Sequence, residues 1–211
     1  MSSSIIATGF GPYPGAPENP TEWLMRLFAV DAPVCGDDVR FQSFVLPTEY
    51  DGLQERIALI GNITAPDIAI HFGLSRQAQG FRLERLARNH VATDRVDAKG
   101  DRPASAALAP GLGDIASSLP LERCAAALTA AGIPAAMSDD CGDYLCNALF
   151  FHSCGKLVTE FQPCWAGFVH VPLPGSHFSE DMLARGARII IAETYAAWRE
   201  RAVSACSLHG R

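Results

Sequence analysis

Apolar runs alternate with amphipathic stretches along the whole chain, the pattern of an α/β layered domain. Ile5 to Gly9 reads as a short buried strand that gives way to the turn-rich Gly9-Phe10-Gly11-Pro12-Tyr13-Pro14-Gly15. Thr21 is placed to cap a helix carrying Trp23, Leu24, Leu27 and Phe28. Val39 to Leu46 alternates as a strand and stops at Pro47. Glu49 to Ile60 predicts a helix with Leu53, Ile57 and the pair Leu59 and Ile60 turned inward. Ile68 to Phe72, β-branched and aromatic between Asp67 and Gly73, is the expected central strand.

Phe81 to Asn89 begins with alternation and then loosens, as a strand leaving the sheet does. Residues 91 to 120 are polar and rich in Gly, Pro and Ala, and are expected to be mostly loop. A loop that long in a compact domain serves as a lid, a binding loop or an oligomer contact. Leu121 to Ala131 predicts a helix ended by Gly132, Ala135 to Ser138 a strand, and Cys141 to Cys154 a turn running into a helix. Ala166 to Val171 is a further strand stopped by Pro172, and Ser179 opens a terminal helix reaching about Ala202. With no repeat, low-complexity tract or linker, residues 1 to 211 read as one domain.

Composition narrows the function classes. Of 211 residues, 48% are hydrophobic and 19% charged, enough to bury a sizeable core and too apolar for a disordered chain. A formal charge of −6 does not suit coating a phosphate backbone, so no nucleic-acid partner is expected. No stretch approaches the roughly 18 apolar residues that span a bilayer. The opening Met1-Ser2-Ser3-Ser4-Ile5-Ile6-Ala7 lacks the basic region and apolar length of an export signal, and a cytoplasmic location is expected. The seven cysteines, at 35, 124, 141, 146, 154, 164 and 206, show no CxxC spacing, and no Cys/His cluster has structural-zinc spacing. The default for each is a buried free thiol.

Three polar residues stand where polar groups are costly or deliberate. Cys146, in Cys141-Gly142-Asp143-Tyr144-Leu145-Cys146-Asn147, falls in or near a helix's first turn, where unpaired N–H groups and the helix dipole favour a nucleophilic thiolate. Its plainer reading is a helix cysteine packed under Phe150. His170 lies at the end of an otherwise apolar strand, Gly167-Phe168-Val169-His170-Val171-Pro172, where α/β sheets bind ligands and where its pKa suits proton transfer. Its plainer reading is a satisfied core histidine. Glu84 could hold that histidine in the right tautomer, or could belong to a surface ion-pair strip with Arg82, Arg85 and Arg88.

The order Glu…Cys…His in these contexts resembles the pyroglutamyl-peptidase I family of cysteine peptidases. Thr8-Gly9-Phe10 with Pro12-Tyr13 and Asn19-Pro20 is similar to the family's opening segment, and Pro47 with Tyr50 to its VP-x-x-Y/F stretch. Glu84-Arg85 with Ala87 and Asn89 resembles ER-V-A-x-N. Gly142 through Cys146-Asn147, and Phe168 through Pro172, resemble its two most specific motifs. The resemblance implies a three-layer α/β/α sandwich with a mixed, twisted sheet, and removal of an N-terminal pyroglutamyl residue from peptides without metal or cofactor. It casts Cys146 as nucleophile, His170 as general base and acid, and Glu84 as the residue that orients the histidine. Phe10, Tyr13 and Tyr144 would line the pocket for the lactam ring. Asn19 would support the opening loop or touch substrate, and Leu74 and Arg95 would complete the binding wall. A dimer or tetramer is implied as well.

Departures from the family pattern flank this set. Gly73-Leu74-Ser75-Arg76-Gln77-Ala78-Gln79 lacks the family's glycine pair and displaces its arginine. Ala92 to Ala98 is eroded around Arg95, Tyr13 replaces a phenylalanine, and Pro174-Gly175-Ser176 replaces an acidic segment. They bear on substrate preference more than on reaction type. Two other readings stand beside the peptidase: a thiol hydrolase of the same fold acting on another N-acyl or cyclic amide, and a homologue that binds a small ligand without catalysis.

Overall fold

The computed structural model describes residues 2–36, 38–175 and 177–208, with side chains as far as Ala202. Ser176 and the side chain of Cys206 lie outside the described residues. In chain order the elements are β1 (Ser3–Phe10), α1 (Pro20–Val30), β2 (Val39–Leu46), α2 (Leu53–Thr64), β3 (Ile68–Leu74), β4 (Phe81–Glu84), β5 (Leu86–Ala87), β6 (Ile115–Ala116), α3 (Leu121–Ala130), β7 (Ala135–Ser138), α4 (Leu145–Cys154), β8 (Trp165–Val171) and α5 (Glu180–Leu208). Six strands form one sheet in the order β2-β1-β3-β8-β4-β7, and β5 pairs with β6 apart from it. β2, β1, β3 and β8 run parallel, whereas β4 is antiparallel to β8 and parallel to β7, so the sheet is mixed.

Strand parity builds the three layers. Along β1, Ile5 and Ala7 face one core while Ile6 and Phe10 face the other. β3 repeats the split with Ile68, Ile70 and Phe72 against Ala69, and β8 with Trp165, Val169 and Val171 against Ala166 and Phe168. Side chains of α1, α3 and α5 cover the first face, and those of α2 and α4 the second. Both faces being covered, β3 and β8 are buried throughout, and β3 sits third of six, the central place its β-branched and aromatic run predicts.

Several expected boundaries shift for local reasons. The cap of α1 is Asn19, not Thr21: Asn19 accepts from the Thr21 backbone N–H at 3.1 Å, and Pro20 takes the first helical position, where no N–H is needed. Thr21 instead ties α1 to β1, its hydroxyl accepting from the Phe10 N–H at 2.9 Å. α2 begins four residues late, after Gly52 in a left-handed conformation, because residues 48 to 50 are held by the loop between β5 and β6. There the Tyr50 N–H donates to Asp97 at 2.9 Å and the Ala98 N–H to the Thr48 carbonyl at 2.9 Å. Leu59 points outward at 61% exposure; Leu53, Ile57, Ile60 and Thr64 form the inner stripe. Ser179 does cap α5, accepting from the Met182 N–H at 3.1 Å. Residues 91 to 120 are irregular apart from β6, and among the described residues no helix is long and apolar enough to cross a membrane.

Candidate active site

Register and parity bring the three singled-out residues together. In the antiparallel pair, His170 on β8 lies opposite Arg82 on β4, and Phe168 opposite Glu84. Phe81 and Leu83 face the first core, so Arg82 and Glu84 face the second, the side where α4 packs. Phe168 takes that side too, and His170, two residues on, shares it. The His170 Nδ1 is 2.8 Å from the Glu84 Oε1, with Glu84 fully buried and His170 nearly so. Glu84 is therefore no surface carboxylate. Arg82 Nε lies 3.4 Å from the same oxygen, and Oε2 is buried without a hydrogen-bond partner. Arg85 and Arg88 turn instead to Asp139 and Asp140.

β3 provides the other half. Gly73 is the register partner of His170 on its far side. A Cβ placed on Gly73 would meet Cys146 Sγ at 2.8 Å and Phe168 Cζ at 2.6 Å, so the thiol occupies the space that glycine leaves beside the histidine's own strand position. Cys146 is the second residue of α4, as the sequence predicts. Its neighbour Asn147 fixes the start of that helix: the amide donates to the Arg88 and His90 carbonyls, each at 2.8 Å, and accepts from the Arg88 N–H at 2.8 Å.

The electrostatics correct one expectation. Burial pushes the Cys146 thiol up to about 12, and the nearby Glu84 charge adds to the rise. The helix-start N–H and Arg95 act in the opposite sense without cancelling it. Desolvation raises the thiol where the helix dipole that the sequence pointed to would lower it, and of the two effects desolvation is the larger. Activation has to come from a base at the moment of attack.

A cleft of about 330 Å³ opens over these groups. Phe10, Tyr13, Asn19, Leu74, Arg95, Tyr144, Cys146 and His170 all line it; Glu84 does not, standing behind the histidine. Tyr13 and Tyr144 rings meet at 6.0 Å, and the Tyr144 hydroxyl donates to the Val96 carbonyl at 2.9 Å. Arg95 covers the Tyr144 ring at 4.9 Å and pairs with Asp143 at 2.7 Å. Tyr13 is half-buried, so water can meet its hydroxyl. The polar atoms of Asn19 are spent on Gly11 and Thr21, which makes it a support for the opening loop. Sequence reasoning passed over Thr48, Gln77 and Arg82 as wall residues, and over Gly73 as the seat of the thiol. The displaced arginine at position 76, the altered segment around Arg95 and the tyrosine at position 13 are the sequence signals of a changed wall, and all three residues line it.

A buried carboxylate–imidazole pair beside a helix-start thiol, at the carboxyl ends of sheet strands, defines a thiol hydrolase of α/β/α architecture. The family model for pyroglutamyl peptidases matches residues 3–194, and the chain belongs to that family of cysteine peptidases. It is 32% identical over 169 residues to the pyrrolidone-carboxylate peptidase of Pyrococcus furiosus, covering 80% of each chain. It is 29% identical to that of Cupriavidus pinatubonensis, covering 92% of this chain and 93% of that one. The crystal structure of the P. furiosus pyrrolidone carboxyl peptidase superposes with a TM-score of 0.84 at 26% identity, over 92% of this chain and 99% of that one.

Proposed function

We propose that Cys146, His170 and Glu84 carry out the hydrolysis of an N-terminal pyroglutamyl residue from peptides. The observation that supports this most is the 2.8 Å contact of His170 Nδ1 with a fully buried carboxylate, beside a thiol seated against the adjoining strand. Glu84 accepts a hydrogen bond from Nδ1–H and so leaves Nε2 as the basic nitrogen. As Sγ attacks the pyroglutamyl carbonyl carbon, the thiol proton passes to Nε2. Tyr144 gives α4 no side-chain cap, so N–H groups of its first turn are available to the oxyanion. The C–N bond then breaks, Nε2 returns the proton to the leaving amine, and a thioester remains. Water, deprotonated by Nε2, attacks the thioester carbon; pyroglutamate leaves and the thiol is reprotonated. Phe10, Tyr13, Leu74 and Tyr144 suit a small, flat, uncharged ring. The six described cysteines are free thiols, which suits a reducing compartment such as the cytoplasm.

The test is fluorophore release from a pyroglutamyl-aminocoumarin under reducing conditions, beside Cys146→Ala. Turnover that disappears in the variant is the expected result. Turnover that persists overturns the assignment of the nucleophile, and a silent parent enzyme overturns the substrate.

A further inference from the structure

β8 lies between β3 and β4 in the sheet, yet the chain passes directly from β3 to β4. The connection, residues 75 to 80, therefore crosses the carboxyl end of β8, and the Ser75 N–H donates to the Val171 carbonyl at 2.9 Å, one residue beyond His170. In the reaction above, the leaving amine takes its proton from His170. The first residue after pyroglutamate must then lie against that imidazole, under this connection.

Three arginines line the cleft there and opposite. Arg82 is committed to Glu84, to the Ser138 hydroxyl at 2.7 Å and to the Asp140 carbonyl at 2.7 Å. Arg95 is committed to Asp143 and Tyr144. Arg76, on the crossing connection, lines the cleft, is exposed, and makes no hydrogen bond or ion pair among the described residues. Of the three it is the one whose charge no carboxylate among the described residues already meets.

We propose that Arg76 is a specificity-determining residue, giving the leaving-group side of the cleft a preference for a carboxylate on the residue after pyroglutamate. This rests on the catalytic reading above. The carboxylate has two sources, an acidic side chain at that residue or the free α-carboxylate of a pyroglutamyl dipeptide. A guanidinium offers either a planar pair of donors.

The experiment compares kcat/KM, by release of pyroglutamate, for pyroglutamyl-glutamate amide against pyroglutamyl-glutamine amide, and for pyroglutamyl-alanine acid against its amide. At low salt the anionic member of at least one pair is expected to be favoured about three- to tenfold, falling toward parity at about 0.5 M salt. The favoured pair identifies the source. Arg76→Gln brings that ratio to about one, and Arg76→Glu shifts preference toward pyroglutamyl-lysine amide; each ratio is read within one variant, so any general loss cancels. Ratios near one in both pairs, or a ratio unmoved by Arg76→Gln, overturn the inference. If the same preparation cleaves pyroglutamyl-aminocoumarin while the ratios stay at one, this inference falls and the peptidase reading stands. If no pyroglutamyl substrate is cleaved, both fall.

Discussion

Burial, and after it the Glu84 charge, hold the Cys146 thiol high, and two outcomes are expected at the scale of single residues. Alkylation of Cys146 by iodoacetamide should rise about tenfold per pH unit from pH 7 to 10 without a plateau, since the thiol is pushed up to about 12. A plateau near pH 6 or 7 would mean a standing thiolate–imidazolium pair. Glu84→Gln should lower kcat by about a hundredfold or more with little change in KM, because the loss falls on proton transfer and not on ring binding. Steady-state kinetics on the aminocoumarin substrate, with an unfolding curve for the variant, separates this from a folding defect. Both outcomes depend on one arrangement: the buried carboxylate that orients His170 also raises the thiol.

Elements decide how accurately these groups meet. Gly73 has no side chain, and the thiol uses that space. Gly73→Ala is expected to cost about 1–3 kcal/mol of stability from overpacking against Phe168 and Cys146, and to lose activity out of proportion to that cost. Calorimetry and kinetics on the same preparation check the two parts. Asn147→Ala removes a three-bond clamp between the buried Asn147 and the backbone of Arg88 and His90 at the start of α4, for about 1–2 kcal/mol, measured by denaturant unfolding. The strands were legible because both faces of the sheet are covered, so β1, β3 and β8 read as short, largely apolar runs between turn residues. The Asn19 cap was hidden by the stronger-looking Thr21, whose hydroxyl is used across the β1–α1 contact instead. The late start of α2 was hidden for a similar reason. Residues 48 to 50 carry helix-compatible side chains, but their backbone is held by Asp97 and Ala98, 47 or more positions away.

At the scale of the whole molecule, buried thiols link stability to pH. Burial raises Cys146 and Cys154 to about 12 and Cys124 to about 11, and pushes Cys141 well above its ordinary value. Unfolded thiols ionise near 8.5. Above that pH the unfolded chain gives up protons that the folded one keeps, so stability is full below about 8.5 and falls as pH rises toward the folded values. Tm measured across pH 7 to 10 under reducing conditions should decline, and Cys124→Ala should reduce the slope; a flat profile would count against the burial of these thiols. The sequence by itself determined the layered α/β class, the central β3, the strand end bearing His170 and the helix start bearing Cys146, because hydrophobic period and turn residues are local signals. Its motifs also marked Glu84. Only the tertiary structure decided that Glu84 is buried against His170, that burial raises the Cys146 thiol, and that Arg76 lies on the connection that crosses the end of β8. Strand order, desolvation and the crossing of β8 depend on residues far apart in sequence, and local patterns do not encode which of them become neighbours.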